Sequence, residues 1–456
     1  MTVNKERTQI KVRQERAVLV AVHLPQARFD ERDPLGELRA LAETAGATVV
    51  GELVQKRQKI EAGTYLGTGK LDELKLMCDE LDAGIVIFDN DLAPSQIGNI
   101  EEIVGRKVLD RSELILDIFA GRATTYEAKL QVELAQLEYT YPRLRAMWDH
   151  LERIVGSGGI GGIGTRGPGE QQLEIDRRLV QRRATQLRRE LSEIQARKAR
   201  EVRARNLDHF TVGIVGYTNA GKSTLFNTLT EGGAFANDQL FATLVTRTRE
   251  WPVEKGLSVM LSDTVGFVRD LPHDLVASFR ATLEEATHAN LLLIVLDVSD
   301  PSAELQYETV QETLDSLFEE VHEREERAGH EWTPPEQVVL LNKADKLRDN
   351  ASLLYWQARV PGSIPFSAIS AGDDALGHRE LRDRVLAMAR GEVQELLLTL
   401  PMSDAKAVHL IEQRSEVLDR QYDNGAVTLH ARIGERQLAR IRATGARITV
   451  NSPAAS

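Results

Sequence analysis

The sequence predicts an α/β protein in four parts: a small α/β domain (residues 1–111), an antiparallel helical hairpin with a glycine-rich tip (112–207), a phosphate-loop domain (208–391) and a small C-terminal α/β domain (392–456). Three observations carry this. An apolar, β-branched strand, Phe210–Val215, runs directly into G-x-x-x-x-G-K-S and then into a helical pattern, the order a phosphate loop requires. Strand and helix patterns alternate through the N-terminal part. Two heptad-like apolar registers then flank a loop crowded with glycine. At roughly 150 residues per domain the chain allows about three domains, each with a buried core.

The elements follow in order. Ala17–Val22 and Thr48–Val54 are β-branched runs, and Pro34–Ala45 lies between them with helical spacing. Gly69–Leu81 reads as a helix and Ile85–Phe88 as a strand; Ser95–Val104 and Lys107–Asp110 repeat the pair. Such alternation predicts a mostly parallel sheet. In the hairpin, Leu130, Leu134, Leu137, Tyr141, Leu144, Trp148 and Leu151 recur at spacings of four and three, and Leu173, Val180, Ala184, Leu187, Leu191 and Ile194 form the second register. Pro142 is expected to kink the first helix. The loop Gly156–Gly169 reads either as a flexible linker or as a tip whose main-chain N–H groups approach phosphates, with Arg166 its charge before Glu170. Beyond the phosphate-loop domain, Ala405–Gln421 reads as a helix, with strands at Ala426–Ile433 and Ala446–Val450. His409 and His430 read as surface or core residues rather than ligands.

Composition bounds the partners. Apolar residues make up 42% and charged residues 28%, as in ordinary globular proteins. A single cysteine, Cys78, excludes an intramolecular disulfide. The apolar run Leu291–Val298 falls short of the roughly 20 residues of a membrane span, and Met1–Arg16 is charged, without the apolar centre of a signal peptide. A cytoplasmic, monomeric protein is expected. The net charge of −12 conceals a segregation: eleven basic residues between Arg177 and Arg205 face three acids on the same segment, Glu190, Glu193 and Glu201. Such a stripe can carry phosphate affinity, or be a solvated helix face.

The nucleotide motifs are the most specific. In Gly216-Tyr217-Thr218-Asn219-Ala220-Gly221-Lys222-Ser223, followed by Thr224, the glycines allow tight curvature, Lys222 is expected on the β- and γ-phosphates, and Ser223 on Mg²⁺. Asp263-Thr264-Val265-Gly266 follows the strand Leu257–Leu261; Asp263 is expected to hold Mg²⁺ through water and the Gly266 N–H to sense the γ-phosphate. Phe241-Ala242-Thr243-Leu244-Val245 offers Thr243 as a switch threonine, also on Mg²⁺. Lys222, Thr243 and Gly266 are thus expected to carry the chemistry. Asn342-Lys343-Ala344-Asp345 follows an apolar strand, and a carboxylate there accepts from both guanine N1–H and the exocyclic amine, a donor pair that adenine lacks. Ser367-Ala368-Ile369 can offer a backbone N–H to the guanine carbonyl. In this order the motifs predict a GTP/GDP site with Mg²⁺. Phe267 stands where many such proteins carry a water-orienting glutamine, and it has no hydrogen-bonding group to replace it. Asn219 either braces the loop or ligates a monovalent cation such as K⁺.

At these residues the chain resembles the HflX GTPases, in the translation-factor branch of P-loop GTPases. Outside the nucleotide motifs the resemblance rests on Tyr65 to Lys70, Asp110 to Ala120 and Leu130 to Leu137. Above all it rests on Gly161-Gly162-Ile163-Gly164-Thr165-Arg166-Gly167-Pro168-Gly169-Glu170. The segment Gln171–Asp176 departs from the commoner form; the absence of the glutamine at Phe267 matches. The resemblance implies binding to ribosomes, chiefly the large subunit and its RNA, through the N-terminal domain and hairpin, and splitting or rescue of stalled ribosomes. It also implies ATP use by the N-terminal domain, but Gly67-Thr68-Gly69-Lys70 is followed by Leu71, not the Ser or Thr a phosphate loop needs. A GTP-driven RNA-remodelling or assembly factor, and a GTP-locked binding switch with little turnover, remain alternatives.

Overall fold

The structure, a computed structural model, describes residues 15–139, 168–230, 241, 246–254, 257–269, 285–347, 349–370, 372, 374–391, 393–423, 425–443 and 446–451. The expected α/β architecture is present, as three sheets. In the first, β1 (Arg16–His23), β2 (Thr48–Lys56), β3 (Ile85–Phe88) and β4 (Lys107–Asp110) are parallel in the order β2-β1-β3-β4. The central strands β1 and β3 are apolar on both faces because helices cover both. Helices α1 (Gly36–Ala45) and α4 (Arg111–Arg122) build the core on one face with Leu19, Leu38, Ile87 and Ile115; α2 (Thr68–Glu80) and α3 (Pro94–Val104) build the other with Val20, Leu74, Phe88 and Ile100. Asp110 ends β4 and caps α4, its Oδ1 accepting from the Glu113 N–H at 2.9 Å, an interaction worth about 1 kcal/mol.

Helix α5 (residues 126–139) packs against the long α6 (Pro168–Asp208). Their seam is the expected one: Leu130, Leu134, Ala184, Leu187 and Leu191, with Leu137 and Ile194 beside them. Ion pairs Arg183–Glu133 (2.7 Å), Arg188–Glu138 (2.7 Å) and Lys198–Glu127 (2.7 Å) flank it, and the pairing runs antiparallel. The acids on α6 itself are few, but α5 supplies Glu127, Glu133 and Glu138, so the basic stripe is less lopsided than its own segment implies. Residues 140–167 lie outside the described residues, and with them Tyr141, Pro142, Leu144, Trp148, Leu151 and most of the glycine loop.

The second sheet orders six strands β10-β9-β8-β5-β7-β6: β5 (Thr211–Gly216), β6 (Arg247–Glu254), β7 (Leu257–Asp263), β8 (Leu291–Asp297), β9 (Glu336–Asn342) and β10 (Ile364–Pro365). All pairs are parallel except β6 with β7. Strand order reverses at β5, so the crevice beyond its carboxyl end is where this architecture binds ligands. Helix α7 (Lys222–Leu229) starts there; α8 (Ala303–Arg327), α9 (Ala351–Arg359) and α10 (His378–Arg390) complete the layer.

The third sheet, β12-β13-β11-β14, is antiparallel: β11 (Val393–Pro401), β12 (Glu416–Asp423), β13 (Ala426–Gly434) and β14 (Thr449–Asn451), with α11 (Ala405–Arg414) and α12 (Glu435–Ala443). This corrects the sequence reading. The helix expected over Ala405–Gln421 stops at Arg414, and Glu416–Asp423 is an edge strand whose side chains are almost all exposed. A strand without a buried face has no period-two signature; backbone pairing with β13 alone makes it one. Among the described residues, no helix is long and apolar enough to cross a membrane.

Candidate nucleotide site

The phosphate loop, Asp263–Gly266, Asn342–Asp345 and Ser367–Ile369 converge at the carboxyl end of the second sheet. Gly216 leaves β5 at φ +149°, and a Cβ there would lie 2.3 Å from the Val295 carbonyl oxygen. Gly221, at φ +99°, would place one 2.3 Å from Asn342 Nδ2. Only glycine fits either position. Asn219 takes the left-handed conformation at φ +61°, which asparagine tolerates. The loop therefore delivers the N-terminus of α7 to the crevice, with its free N–H groups and partial positive charge.

Lys222 is buried and its Nζ donates to the Tyr217 carbonyl at 2.6 Å. Burial pushes its pKa down to about 8, against the pull of Asp263. Ser223 Oγ donates to Asp263 Oδ2 at 2.9 Å, so a hydroxyl and a buried carboxylate converge. These are hard oxygen donors of the kind Mg²⁺ prefers. Thr264 is fully buried and donates to the Ile214 carbonyl at 2.7 Å, anchoring the end of β7 to β5. Gly266 approaches so closely that a Cβ would lie 2.8 Å from Lys222 Nζ and 2.9 Å from Thr218 Cα. Phe267 turns its ring into the domain core, while its backbone bridges the loop: its N–H donates to Gly216 O (3.1 Å) and its carbonyl accepts from the Thr218 N–H (2.8 Å). The ring thus takes no part in lining the crevice.

At the base end, one side chain ties three loops together. The Asn342 amide donates to Ala220 O at 2.7 Å and accepts from the Ala368 N–H at 3.0 Å. Lys343, at φ +58°, donates to Asn219 O at 3.1 Å and pairs with Asp297 at 2.6 Å. Asp345 is exposed on the 3₁₀ turn Ala344–Lys346. Ser367 is buried, its carbonyl 3.1 Å from His378 Nε2; Thr228 donates to Ala368 O at 2.7 Å; Ile369 is 73% exposed. Sequence reasoning missed Asp297, Thr228 and His378. Asp297 alone left a signal, as a charged residue ending an apolar strand.

The switch segment divides. Ala242, Thr243, Leu244 and Val245 lie outside the described residues. Phe241 is described: its ring meets Phe119 at 4.6 Å and its carbonyl accepts from Arg122 at 2.8 Å, both in α4. Phe241, Val265 and Val268 belong to the core of the first sheet, not the second. The Tyr217 hydroxyl likewise leaves the crevice. It donates to Glu37 and accepts from the Arg269 N–H at 2.8 Å. Arg111 is 1% exposed and reaches Glu37 (2.8 Å) and Asp89 (2.6 Å), while Arg269 reaches Asp89 at 2.7 Å. Burial alone would lower the Arg111 pKa; Glu37 and Asp89 hold it above its ordinary value. This network spans the first and second sheets, and no motif pattern marks it.

The family described as "GTP-binding GTPase N-terminal" matches residues 32–120, "GTP-binding GTPase Middle Region" residues 122–205, and "50S ribosome-binding GTPase" residues 211–343. GTPase HflX of Caldanaerobacter subterraneus subsp. tengcongensis is 37% identical over 92% of this chain and 91% of its own. GTPase HflX of Escherichia coli is 37% identical over 92% and 93% respectively. A solved GTP-binding protein from Sulfolobus solfataricus, in complex with GDP, aligns over 82% of this chain and 99% of its own, at 26% identity and a TM-score of 0.42. With relatives matched over nine-tenths of both chains, this protein is a GTP-binding, GTP-hydrolysing enzyme and belongs to the GTPase HflX family.

Proposed function

We propose that the crevice at the carboxyl end of the second sheet is the site of GTP hydrolysis, that hydrolysis depends on Mg²⁺, and that the protein acts on the large ribosomal subunit in the cytoplasm. The observation that carries the site is the Asn342 amide. By joining Ala220 in the phosphate loop to Ala368 in the Ser367–Ile369 loop, it brings the phosphate-binding and base-binding ends into one rigid frame. Gly216 to Thr224 cradle the phosphates, Asp345 reads guanine N1–H and the amine, and the Ser367–Ile369 loop offers a backbone N–H to the guanine carbonyl. Ser223 and Asp263, with Thr243, would hold Mg²⁺, which supplies charge neutralisation at the β- and γ-oxygens when bound. Lys222 offsets charge developing on the same oxygens, and the Gly266 N–H faces the γ-phosphate.

Phe267 orients no water, so intrinsic turnover is slow, and the group that speeds it comes from the backbone, a K⁺ beside Asn219 or the ribosomal partner. The GTP-locked switch remains the second reading on this ground. Splitting or rescue of stalled ribosomes is the role we propose; the match to a ribosome-binding GTPase supports the ribosome as the partner. The site is tested by Asp345→Asn, which inverts an acceptor into a donor. It should weaken GTP binding about a hundredfold and favour xanthosine triphosphate. Unchanged preference in a competition assay would remove Asp345 from the site.

A further inference from the structure

The phosphate end of the crevice is a tight contact within the phosphate-loop domain, reinforced from outside it. Gly266 sits against Lys222 Nζ and Thr218 Cα, at the 2.8 and 2.9 Å that a Cβ would show. Two backbone hydrogen bonds between Phe267 and the loop hold it there. Lys222 Nζ meanwhile is bonded to the loop's own Tyr217 carbonyl. A γ-phosphate reached by both Lys222 and the Gly266 N–H has to be accommodated at this tight contact. GDP, which ends at the β-phosphate, makes no such demand.

A set of side chains reinforces these backbone bonds. The backbone N–H of Arg269, three residues beyond Gly266, donates to the Tyr217 hydroxyl at 2.8 Å, which ties this segment to the phosphate loop a second time. That hydroxyl donates to Glu37 on α1. The Arg269 guanidinium bonds to Asp89 (2.7 Å) and to the Arg28 carbonyl (2.8 Å), and its own carbonyl accepts from Arg111 Nε at 3.2 Å. Val265 and Val268 are packed in the core of the first sheet. The segment from Val265 to Arg269 is therefore held on both flanks by the N-terminal domain.

We propose that Glu37, Tyr217 and Arg269 determine the preference of the enzyme between GDP and GTP, by latching the Gly266 segment in the position that excludes a γ-phosphate. This rests on the reading of the crevice as the nucleotide site. The three are specificity-determining and positioning residues; the phosphate-contacting groups remain Lys222 and the loop amides. Because binding and conformation are linked reciprocally, GTP must loosen the same contacts that oppose it. Occupancy by GTP is then felt at α1, on the domain expected to meet the partner.

The test is the affinity of the full-length protein for GDP and for a non-hydrolysable GTP analogue, with Mg²⁺ present, in Glu37→Gln, Tyr217→Phe and Arg269→Ala. Removing a charge-assisted hydrogen bond should raise the analogue-to-GDP affinity ratio roughly tenfold. GDP affinity of Glu37→Gln should stay within about twofold of wild type. Glu37→Gln combined with Tyr217→Phe should exceed neither single change by more than about twofold, because both break one latch. A ratio unchanged in Tyr217→Phe, which keeps the buried ring, would overturn the proposal, as would equal losses for both nucleotides. Lys222→Ala separates the two readings: if it binds both nucleotides like wild type, the site itself is misplaced. Amide exchange supplies the reverse measurement. Residues 36–45 should exchange several-fold faster with the GTP analogue than with GDP, and equal rates would contradict the linkage.

Discussion

The two ends of the crevice are held by different parts of the chain. At the base end, Asn342, Lys343, Ala368 and Thr228 bond to one another and to the phosphate loop within a single domain. At the phosphate end, Tyr217, Phe241, Val265, Val268 and Arg269 are anchored in the N-terminal domain. The nucleotide's base is common to GTP and GDP, whereas its γ-phosphate is gained and lost in each cycle. On the proposed assignment of the crevice, the chain builds the invariant contact locally and attaches the variable one to a second domain, where a change can be passed on. The difference predicts that damage to the N-terminal network reaches the phosphate end and spares the base end.

The largest expected effect follows from the burial of Arg111. Its guanidinium is 1% exposed between Glu37 and Asp89, so Arg111→Ala leaves two carboxylates with half their compensation. Losing one partner of a buried ion pair costs about 3–5 kcal/mol. The first transition in chemical denaturation should shift accordingly, whereas Asp345→Asn, on an exposed turn, should move it by less than about 0.5 kcal/mol. Equal stability of Arg111→Ala and wild type would mean that the network does not bind the two domains.

This asymmetry also explains what the sequence made legible. Gly216, Gly221 and Gly266 are required by backbone conformation or close approach, and such requirements fall at fixed spacing along one segment. The seam of the hairpin was legible because Leu130, Leu134, Leu187 and Leu191 repeat at helical spacing. Glu37, Asp89, Arg111 and Arg269 meet from well-separated parts of the chain, and nothing periodic marks them. Phe241 reads as part of a switch, yet its ring belongs to another domain's core, which only tertiary packing reveals. The edge strand Glu416–Asp423 was hidden for the opposite reason, since it buries almost nothing.

A second prediction acts at the phosphate end alone. Gly266→Ala would place its methyl 2.9 Å from Thr218 Cα, a backbone atom that cannot swing aside. The Gly266 N–H is then displaced from the γ-phosphate. Loss of one such donor lowers turnover about a hundredfold. GDP affinity should fall far less than turnover does, because the base end is untouched and GDP has no γ-phosphate for the Gly266 N–H to contact. Single-turnover hydrolysis and GDP binding measured on the same preparation check both halves. A parallel loss of the two would show that the ends are not mechanically separate.

The smallest effect lies on the hairpin, where paired and unpaired arginines can be compared directly. Arg183 and Arg188 are matched by Glu133 and Glu138 of the facing helix. Arg182 and Arg200 are exposed, and neither forms an ion pair among the described residues. If the hairpin meets ribosomal RNA, the second pair should contribute counterion release and the first should contribute chiefly packing between α5 and α6. Replacing Arg182 and Arg200 by glutamine should therefore reduce the salt slope of large-subunit binding by about 1 to 2, roughly one for each phosphate no longer neutralised. Replacing Arg183 and Arg188 should change that slope by less than about 0.5 and instead loosen the hairpin by up to about 1 kcal/mol per pair. Subunit pelleting across a salt series reads the slope, and helix unfolding followed in parallel reads the packing. Identical slopes for wild type and the Arg182/Arg200 variant would move the RNA-binding surface away from this face of α6. The glycine-rich segment joining α5 to α6, or the N-terminal domain, would then have to carry it.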